Sequence, residues 1–168
     1  MNMIIRPERE SDHEAITAVT EAAFANHPFS HQTEQFIVKA LRAAGALAVS
    51  LVAEVDGRVV GHVAFSPVVV SDGSPGWYGL GPVSVLPKLQ RQGIGTALVR
   101  EGLSLLRARG ARGCVLTGDP GFYQRFGFRN EPELVLDGIP QVFFLALVLN
   151  GPMARGQVTF HEGFSARS

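Results

Sequence analysis

The sequence predicts an α/β protein built on one mixed, mostly antiparallel sheet that is flanked by helices. Two observations carry this prediction. Segments with helical periodicity alternate with short apolar segments of strand length, and three consecutive strands are separated by turn signals alone, as in antiparallel hairpins. At 168 residues, 46% of them hydrophobic, the chain is long enough for one domain with a substantial core.

The first part of the chain is predicted to form a strand, two helices and a β-hairpin. The first strand is Met3-Ile4-Ile5, and residues 11–14 have the spacing of a capping box at the start of the first helix. The second helix carries an apolar face and ends at Gly45. Strands over 47–55 and 58–70 follow, joined by a two-residue turn signal.

The second part is predicted to add four strands and two helices. These are a strand over 77–86, a helix from Gly93 or Gly95 to Arg109, a strand over 114–117, a short helix over 119–126 and strands near 133–136 and 142–149. The last two strands are predicted to pair as a hairpin around Asp137-Gly138. Residues 1–150 would then form one domain. Residues 151–168 would form a tail that packs on or extends it, covering a sheet edge or contributing to a homodimer contact.

The composition of the chain indicates which classes of partner and which cellular compartment to expect. Fifteen basic residues balance fifteen acidic ones, so the charge does not indicate binding to nucleic acid or to an anionic membrane. The most apolar run, residues 142–149, is too short to span a bilayer, and the N-terminus lacks the apolar part of a signal peptide. Cys114 is the single cysteine, and the five histidines lack metal-ligand spacing. We expect a soluble cytoplasmic protein that binds no nucleic acid, membrane or metal.

The stretch over residues 83–96 joins an apolar strand to a helix through a basic turn spaced by glycines. Glycines let a backbone turn sharply and approach a ligand closely. The unpaired N–H groups of the first helical turn and the helix dipole favour an anion there. The turn alone is equally consistent with an ordinary helix start. It is not a Walker loop, because no Gly-Lys-Ser/Thr follows, and Leu98 stands where a dinucleotide fingerprint has its third glycine.

An aromatic cluster over residues 122–128 follows the strand that comes after this helix. An aromatic cluster alone favours core packing. Its position favours a functional role, because strands beside a phosphate-binding helix often place catalytic groups at their carboxyl ends.

Together the two motifs resemble those of the GNAT family of acyl-CoA N-acyltransferases. Residues 90–95 (Gln-Arg-Gln-Gly-Ile-Gly) match the family's Gln/Arg-x-x-Gly-x-Gly/Ala, and residues 123–128 (Tyr-Gln-Arg-Phe-Gly-Phe) match its Tyr-x-x-x-Gly-Phe. The order of elements over residues 3–149 also agrees. The segment over 118–123 is similar to a bacterial subgroup whose substrates are mostly unassigned.

The resemblance implies acetyl-CoA, or another acyl-CoA, as the donor and a primary amine of a small molecule or peptide as the acceptor. It implies a sheet splayed between its fourth and fifth strands, with the pantetheine arm paired to the edge of the fourth strand. A backbone N–H near Val85 would polarise the thioester carbonyl. The residues assigned to acetyl-CoA binding are Val83, Ser84, Val85, Gln90, Arg91, Gln92, Gly93, Ile94, Gly95 and Thr96.

The resemblance also implies that Tyr123 is the general acid that protonates the leaving thiolate. A phenol with a pKa of about 10 is a reasonable donor to a thiolate whose conjugate acid has a pKa near 8.5. The alternative is a tyrosine ring that packs on the cosubstrate without proton transfer.

The general base and the acceptor pocket are less defined. Glu54 and His62 are candidate bases, Glu21 and Glu34 are weaker ones, and a water chain is an alternative to all four, so no base is assigned. Candidate walls of the acceptor pocket are Phe29, His62 and Trp77, with His27 and His31 near the helix break, although aromatic residues there are equally consistent with core packing.

Three hypotheses of function therefore stand. The leading one is an acetyl-CoA-dependent N-acetyltransferase. A second is a catalytically inactive acyl-CoA-binding sensor or regulatory module, and a third is a protein that binds a different nucleotide. The presence of both Tyr123 and the intact glycine turn favours the enzyme.

Overall fold

Nine strands in one sheet and four α-helices make up the part of the chain that the computed structural model describes, residues 2–168. The strands are β1 (Met3–Pro7), β2 (Val49–Val55), β3 (Arg58–Val70), β4 (Trp77–Val85), β5 (Gly113–Thr117), β6 (Arg129–Asn130), β7 (Leu134–Val135), β8 (Phe144–Val148) and β9 (Gly156–Phe160). The helices are α1 (His13–Phe24), α2 (Glu34–Ala43), α3 (Ile94–Ala108) and α4 (Pro120–Tyr123).

The strand order confirms a mixed, mostly antiparallel sheet. The main path runs β1-β2-β3-β4-β5-β8-β6, and every pair along it is antiparallel except β4 with β5. Residues 60–66 of β3 are all buried, as expected for a central strand that is covered on both faces. The bounds of β3 are those predicted from the sequence.

The fourth and fifth strands separate, as predicted. They pair only through Trp77 with Gly113, Tyr78 with Cys114 and Gly79 with Val115. Beyond this point the register of β4 against β3 shifts. Val63 lies opposite Val83 and Phe65 lies opposite Leu80, so β4 has one more residue than β3 over this stretch. The extra residue is a β-bulge, which bends β4 away from β5 and opens a gap at the carboxyl ends of both strands.

Helices cover both faces of the sheet. The buried side of α3 includes Leu98 and Leu106, and α3 packs against β2, β3 and β4. Its Gly102 touches the Phe65 ring so closely that a β-carbon at residue 102 would overlap the ring. On the opposite face, Ile16 of α1 and Val38 of α2 pack against the centre of the sheet.

The predicted hairpin around Asp137-Gly138 is wrong. β7 pairs in parallel with β9, whereas β8 pairs with β5 and β6. The turn itself forms, since the N–H of Ile139 donates to the Leu136 carbonyl at 3.4 Å. The strands on its two sides diverge because the apolar β8 fills the open edge of β5, while Leu134 is buried in a second core cluster.

The predicted capping box at residues 11–14 is also wrong. The side chain at the N-cap of α1, Asp12, caps no N–H of that helix. Its carboxylate instead accepts from the Arg9 N–H at 2.7 Å and from the Arg6 guanidinium at 2.7 and 3.0 Å. An arginine on the neighbouring strand is thus a stronger partner for this carboxylate than the helix start.

The C-terminal residues extend the sheet. β9 lies antiparallel to the end of β3, with Val68 opposite Phe160, and the 3₁₀ turn Glu162–Ser165 packs on α2. The division of the chain at residue 150 stays a prediction. Within residues 2–168 no helix combines the length and apolar character that crossing a bilayer requires.

Candidate active site

The start of α3 presents a row of backbone donors. Gly93 has a φ of +88° and Arg91 a φ of +65°, and this left-handed geometry turns the chain sharply into the helix. The first N–H paired across the turn is that of Ala97, which donates to the Gly93 carbonyl at 3.0 Å. Within residues 2–168, the six N–H groups of residues 91–96 donate to no protein acceptor. Such a row, at the positive end of a helix, is suited to an anion.

The edge of β4 that faces the gap carries a second set of free groups. The Leu86 N–H points towards β3, where it donates to the Val60 carbonyl at 2.9 Å. Because successive residues of a strand direct their N–H and C=O to opposite sides, the groups of Val83 and Val85 point into the gap. The Gln90 side-chain amide donates to the Val85 carbonyl at 3.0 Å and so links this edge to the turn.

Tyr123 lies at the end of α4, which follows β5. The Asp119 carboxylate caps this short helix by accepting from the Gly121 N–H at 3.0 Å. The half-buried tyrosine ring lies against Gly118 and the Phe122 ring, at 4.8 Å between ring centres. Burial, together with Cys114 and Asp119, raises the pKa of Tyr123 to about 12. Its hydroxyl is therefore protonated across the physiological range.

Arg125 connects the two sequence motifs, and sequence reasoning missed it. Its Nε donates to the Phe122 carbonyl at 2.8 Å, its guanidinium lies 4.4 Å from the centre of the Phe122 ring, and its Nη1 is 3.5 Å from the Thr96 hydroxyl. The aromatic turn and the start of α3 are thus in contact, with a cation beside the free N–H groups. The match to a Tyr-x-x-x-Gly-Phe pattern gave no weight to this position.

The predicted acceptor walls do not gather at the gap. Phe29 is 88% exposed on the α1–α2 connection, where its ring contacts His27 at 6.2 Å. Trp77 is 2% exposed in the second core cluster, packed on Gly113 at the end of β4 opposite the gap. Its position favours a core role, and its size and aromatic character alone could not distinguish the two roles.

His62 lies in a polar layer under α1 and α2 whose members are buried or half-buried. We use this name for Glu8, Arg42, Ser50, His62 and Ser84. The His62 side chain is fully buried, and its Nε2 lies 2.8 Å from the Ser50 hydroxyl. Ser50 donates to Glu8, whose carboxylate also accepts from Arg42 through two bonds of 2.9 Å. Burial lowers the pKa of His62 to about 4, so the ring is neutral at physiological pH.

The layer contains atoms without partners. His62 Nδ1 and the Ser84 hydroxyl are buried and make no hydrogen bond within residues 2–168. The same is true of the Ser66 hydroxyl on β3. A buried polar atom without a partner is costly, and such atoms in native proteins often mark a bound water or a functional role.

The other candidate bases are engaged or remote. Glu54 forms an ion pair with Arg6 at 3.1 Å on the side of the sheet away from β5. Glu34 accepts from the Ser30 hydroxyl at 2.6 Å, and Glu21 is exposed on α1.

A pair of parallel strands that separates beside a helix start with six free N–H groups defines a site for a long ligand with a phosphate-bearing part. The model of the acetyltransferase (GNAT) family matches residues 16–128. The chain belongs to this family.

Close relatives agree over nearly the whole chain. The uncharacterized N-acetyltransferase YhbS of Escherichia coli K12 is 40% identical over 172 residues, covering 97% of this chain and 99% of YhbS. A solved GNAT acetyltransferase from Brucella melitensis, in complex with acetyl-CoA, is 52% identical with a TM-score of 0.87, covering 97% of this chain and 98% of its own. The solved structure of YhbS from Escherichia coli, in complex with CoA, is 34% identical with a TM-score of 0.88, and the match covers 100% of this chain and 94% of the YhbS chain.

Proposed function

We propose that this acetyltransferase moves an acetyl group from acetyl-CoA to a primary amine of a small molecule or peptide, by direct attack of the amine and with Tyr123 as the general acid. The observation that carries the proposal is the row of six free N–H groups at the start of α3, beside the gap between β4 and β5.

The donor half of the site fits acetyl-CoA, the cosubstrate of GNAT acetyltransferases. The pyrophosphate would accept from the N–H groups of residues 92–96. The pantetheine arm carries amides, and these would pair with the N–H groups of Val83 and Val85 and the Val83 carbonyl as an additional strand does. Arg125 and Arg91 supply positive charge beside the pyrophosphate. The solved relatives bound to acetyl-CoA and to CoA support this fit.

The reaction needs two contributions from the chain. The amine nitrogen forms a bond to the thioester carbon, and an N–H of Val83 or Val85 stabilises the negative charge that develops on the carbonyl oxygen. As the C–S bond breaks, Tyr123 gives its hydroxyl proton to the sulfur. The amine loses one proton before the attack and a second afterwards. One of these two protons restores the Tyr123 hydroxyl, and the net reaction releases the other to solvent.

The raised pKa of Tyr123 suits this role in one respect and opposes it in another. It keeps the phenol protonated at every physiological pH, but it makes the phenol a weaker acid. The same apolar surroundings raise the basicity of a thiolate. Burial raises the pKa of the neighbouring Cys114 thiol well above its ordinary value. A thiolate released beside Tyr123 is therefore a strong base, and the proton transfer stays feasible.

The experiment combines binding and turnover. Calorimetry with acetyl-CoA, CoA, ATP and NAD tests the donor, and release of CoA thiol across a panel of small primary amines and peptides tests the transfer. We expect micromolar binding of acetyl-CoA and thiol release with at least one amine. Tight binding without thiol release on any acceptor would favour the sensor, and a preference for ATP or NAD would overturn the assignment of the donor.

A further inference from the structure

We propose that Arg100 and Arg125 form a second phosphate site beside the start of α3, and that this site binds the 3′-phosphate on the ribose of acetyl-CoA and CoA. The proposal deepens the donor half of the proposed function and rests on it. It makes the enzyme selective for a donor whose ribose carries this phosphate. We call the two residues the arginine pair.

The row of backbone donors leaves one anionic group of the donor unmatched. The free N–H groups of residues 91–96 fit the pyrophosphate. CoA carries one further phosphate, a monoester on the ribose that is joined to the pyrophosphate. A phosphate monoester has a charge of about −1.5 to −2 at pH 7 and three acceptor oxygens, which suits two guanidinium groups. A site for it has to lie beside the row.

Arg125 lies at the end of this row. Thr96 is the last residue of the row, and its hydroxyl is 3.5 Å from Arg125 Nη1. The Nε of Arg125 donates to the Phe122 carbonyl at 2.8 Å, and the guanidinium lies 4.4 Å from the centre of the Phe122 ring. These two contacts occupy the Nε edge and one flat face of the guanidinium. The terminal nitrogens remain available to donate to a ligand.

Arg100 approaches the same place from the next turn of α3. It follows Thr96 by four residues, so the two side chains are neighbours on the helix surface. A long side chain on a helix leans towards the N-terminus of that helix, which here is towards Thr96. The Arg100 guanidinium lies 5.3 Å from the centre of the Phe126 ring, and this ring is 5.5 Å from the Phe122 ring between centres. The two guanidinium groups therefore lie on two adjacent aromatic rings.

No carboxylate within residues 2–168 forms an ion pair with the arginine pair. This holds for Glu101 of α3 and for Asp119 before α4, the acidic residues close to the pair along the chain. Arg129, by contrast, pairs with Glu131 at 3.6 Å. From residue 73 to residue 100 all three charged residues are basic, although the whole chain has fifteen residues of each sign. The start of α3 thus carries an excess of positive charge that suits an anionic ligand.

A ligand that lacks only the 3′-phosphate tests the site in the full chain. Dephospho-CoA shares every other group with CoA, so the ratio of their Kd values, measured by calorimetry at pH 8, isolates the contribution of this phosphate. We expect the wild-type protein to bind CoA about tenfold more tightly than dephospho-CoA. Equal affinity for the two ligands would overturn the proposal and leave the proposed function standing. Binding of neither ligand would contradict both.

Arginine variants assign the effect to residues. Arg125→Gln and Arg100→Gln each remove one guanidinium, and Arg107→Gln is the matched control, because it removes the same charge from an exposed position near the other end of α3. Both variants of the pair should lose affinity for CoA several-fold and keep the wild-type Kd for dephospho-CoA, whereas the control should change neither. Arg100→Gln leaves the bond to the Phe122 carbonyl intact, so it tests the site even where Arg125→Gln disturbs the aromatic turn. Equal losses for both ligands in Arg100→Gln would overturn the proposal.

The pH dependence of binding distinguishes the monoester from the pyrophosphate. A phosphate monoester has its second pKa at about 6, whereas the pyrophosphate linkage does not titrate there. Arginine stays charged throughout, and the pair favours the dianion. The preference of the wild-type protein for CoA over dephospho-CoA should therefore be full at pH 8 and smaller at pH 5. A preference of the same size at both pH values would contradict a contact between the arginine pair and the 3′-phosphate.

Discussion

The two sides of β4 differ in the kind of group that is left without a hydrogen-bond partner. Towards β5, the N–H groups of Val83 and Val85 and those at the start of α3 donate to no protein acceptor within residues 2–168. Towards α1, the free atoms are side-chain atoms of His62 and Ser84, and they are fully buried. One strand thus separates an open row of backbone donors from a closed polar layer.

This difference indicates which part of the site is shared with other GNAT acetyltransferases and which part is specific to this chain. Exposed backbone donors are satisfied by water until a ligand arrives, so they cost little and need only a turn of the right shape. A buried atom without a partner costs about 1–3 kcal/mol, and it depends on which side chains meet inside the fold. The first region fits the donor that GNAT acetyltransferases share, and the second is where we expect properties specific to this enzyme.

The largest effect should come from Tyr123→Phe, which removes the hydroxyl that we propose as the general acid. We expect kcat to fall about 10²–10³-fold with an unchanged Kd for acetyl-CoA, because the ring still packs but cannot donate a proton. The wild-type protein should lose no activity through Tyr123 up to pH 10, since its pKa of about 12 keeps it protonated there. Unchanged kcat in the variant at all pH values would leave Tyr123 a packing role only.

The next largest effect concerns His62, on the α1 side of β4, and it is a loss of folding stability at acid pH. His62 has a folded-state pKa of about 4, below the ordinary 6.5, so the unfolded chain binds the proton first. Stability is therefore fully present above pH 6.5 and is lost as pH falls from 6.5 towards 4, by about 2–3 kcal/mol. Urea unfolding of wild type and His62→Gln across this range measures it.

The control for this measurement is His31→Gln, which changes an exposed histidine. It should keep the wild-type slope of stability against pH, whereas His62→Gln should flatten it. Parallel slopes in all three proteins would mean that His62 is not buried as a neutral ring. The α1 side of β4 would then not differ from the β5 side in the way described above.

The smallest effect should come from the backbone at the start of α3. Gly93→Val forces a branched side chain into a φ of +88°, which costs about 1–2 kcal/mol and distorts the row of N–H groups. We expect the Kd for acetyl-CoA to rise about tenfold. Gly110→Val is the matched control, with a φ of +79° and equally open surroundings at the other end of the helix.

Both glycine variants should lose similar stability, but only Gly93→Val should lose affinity. Calorimetric titration with acetyl-CoA and thermal melting distinguish the two. Wild-type affinity in Gly93→Val would mean that the turn shapes the fold without contacting the donor.

The donor half could be predicted from the sequence because its signals are local. Turn signals on both sides predict the bounds of β3, and two glycines separated by one residue predict the turn at residues 90–95. The polar layer could not be predicted, because Glu8 meets Ser50 and Arg42 across 42 and 34 residues of chain. One signal was present in the sequence: His62 and Ser66 interrupt an apolar central strand.

The predicted hairpin at residues 133–149 failed for a related reason. The turn signal at Asp137-Gly138 is real, but strand pairing depends on which sheet edge is open, and the edge of β5 lies far away in sequence. Trp77 shows the same limit, because an aromatic residue at a strand end suits a core and a pocket equally until the neighbouring strands are known.

Because residue 102 is a glycine, the middle of α3 packs directly on the Phe65 ring. Gly102 lies seven residues from Gly95, or about 10 Å along the helix axis. A single methyl group added at residue 102 would push the middle of α3 away from the Phe65 ring. The start of the helix would then shift relative to β4. Affinity for the donor can therefore be tuned, in evolution or by design, from a residue that touches no ligand.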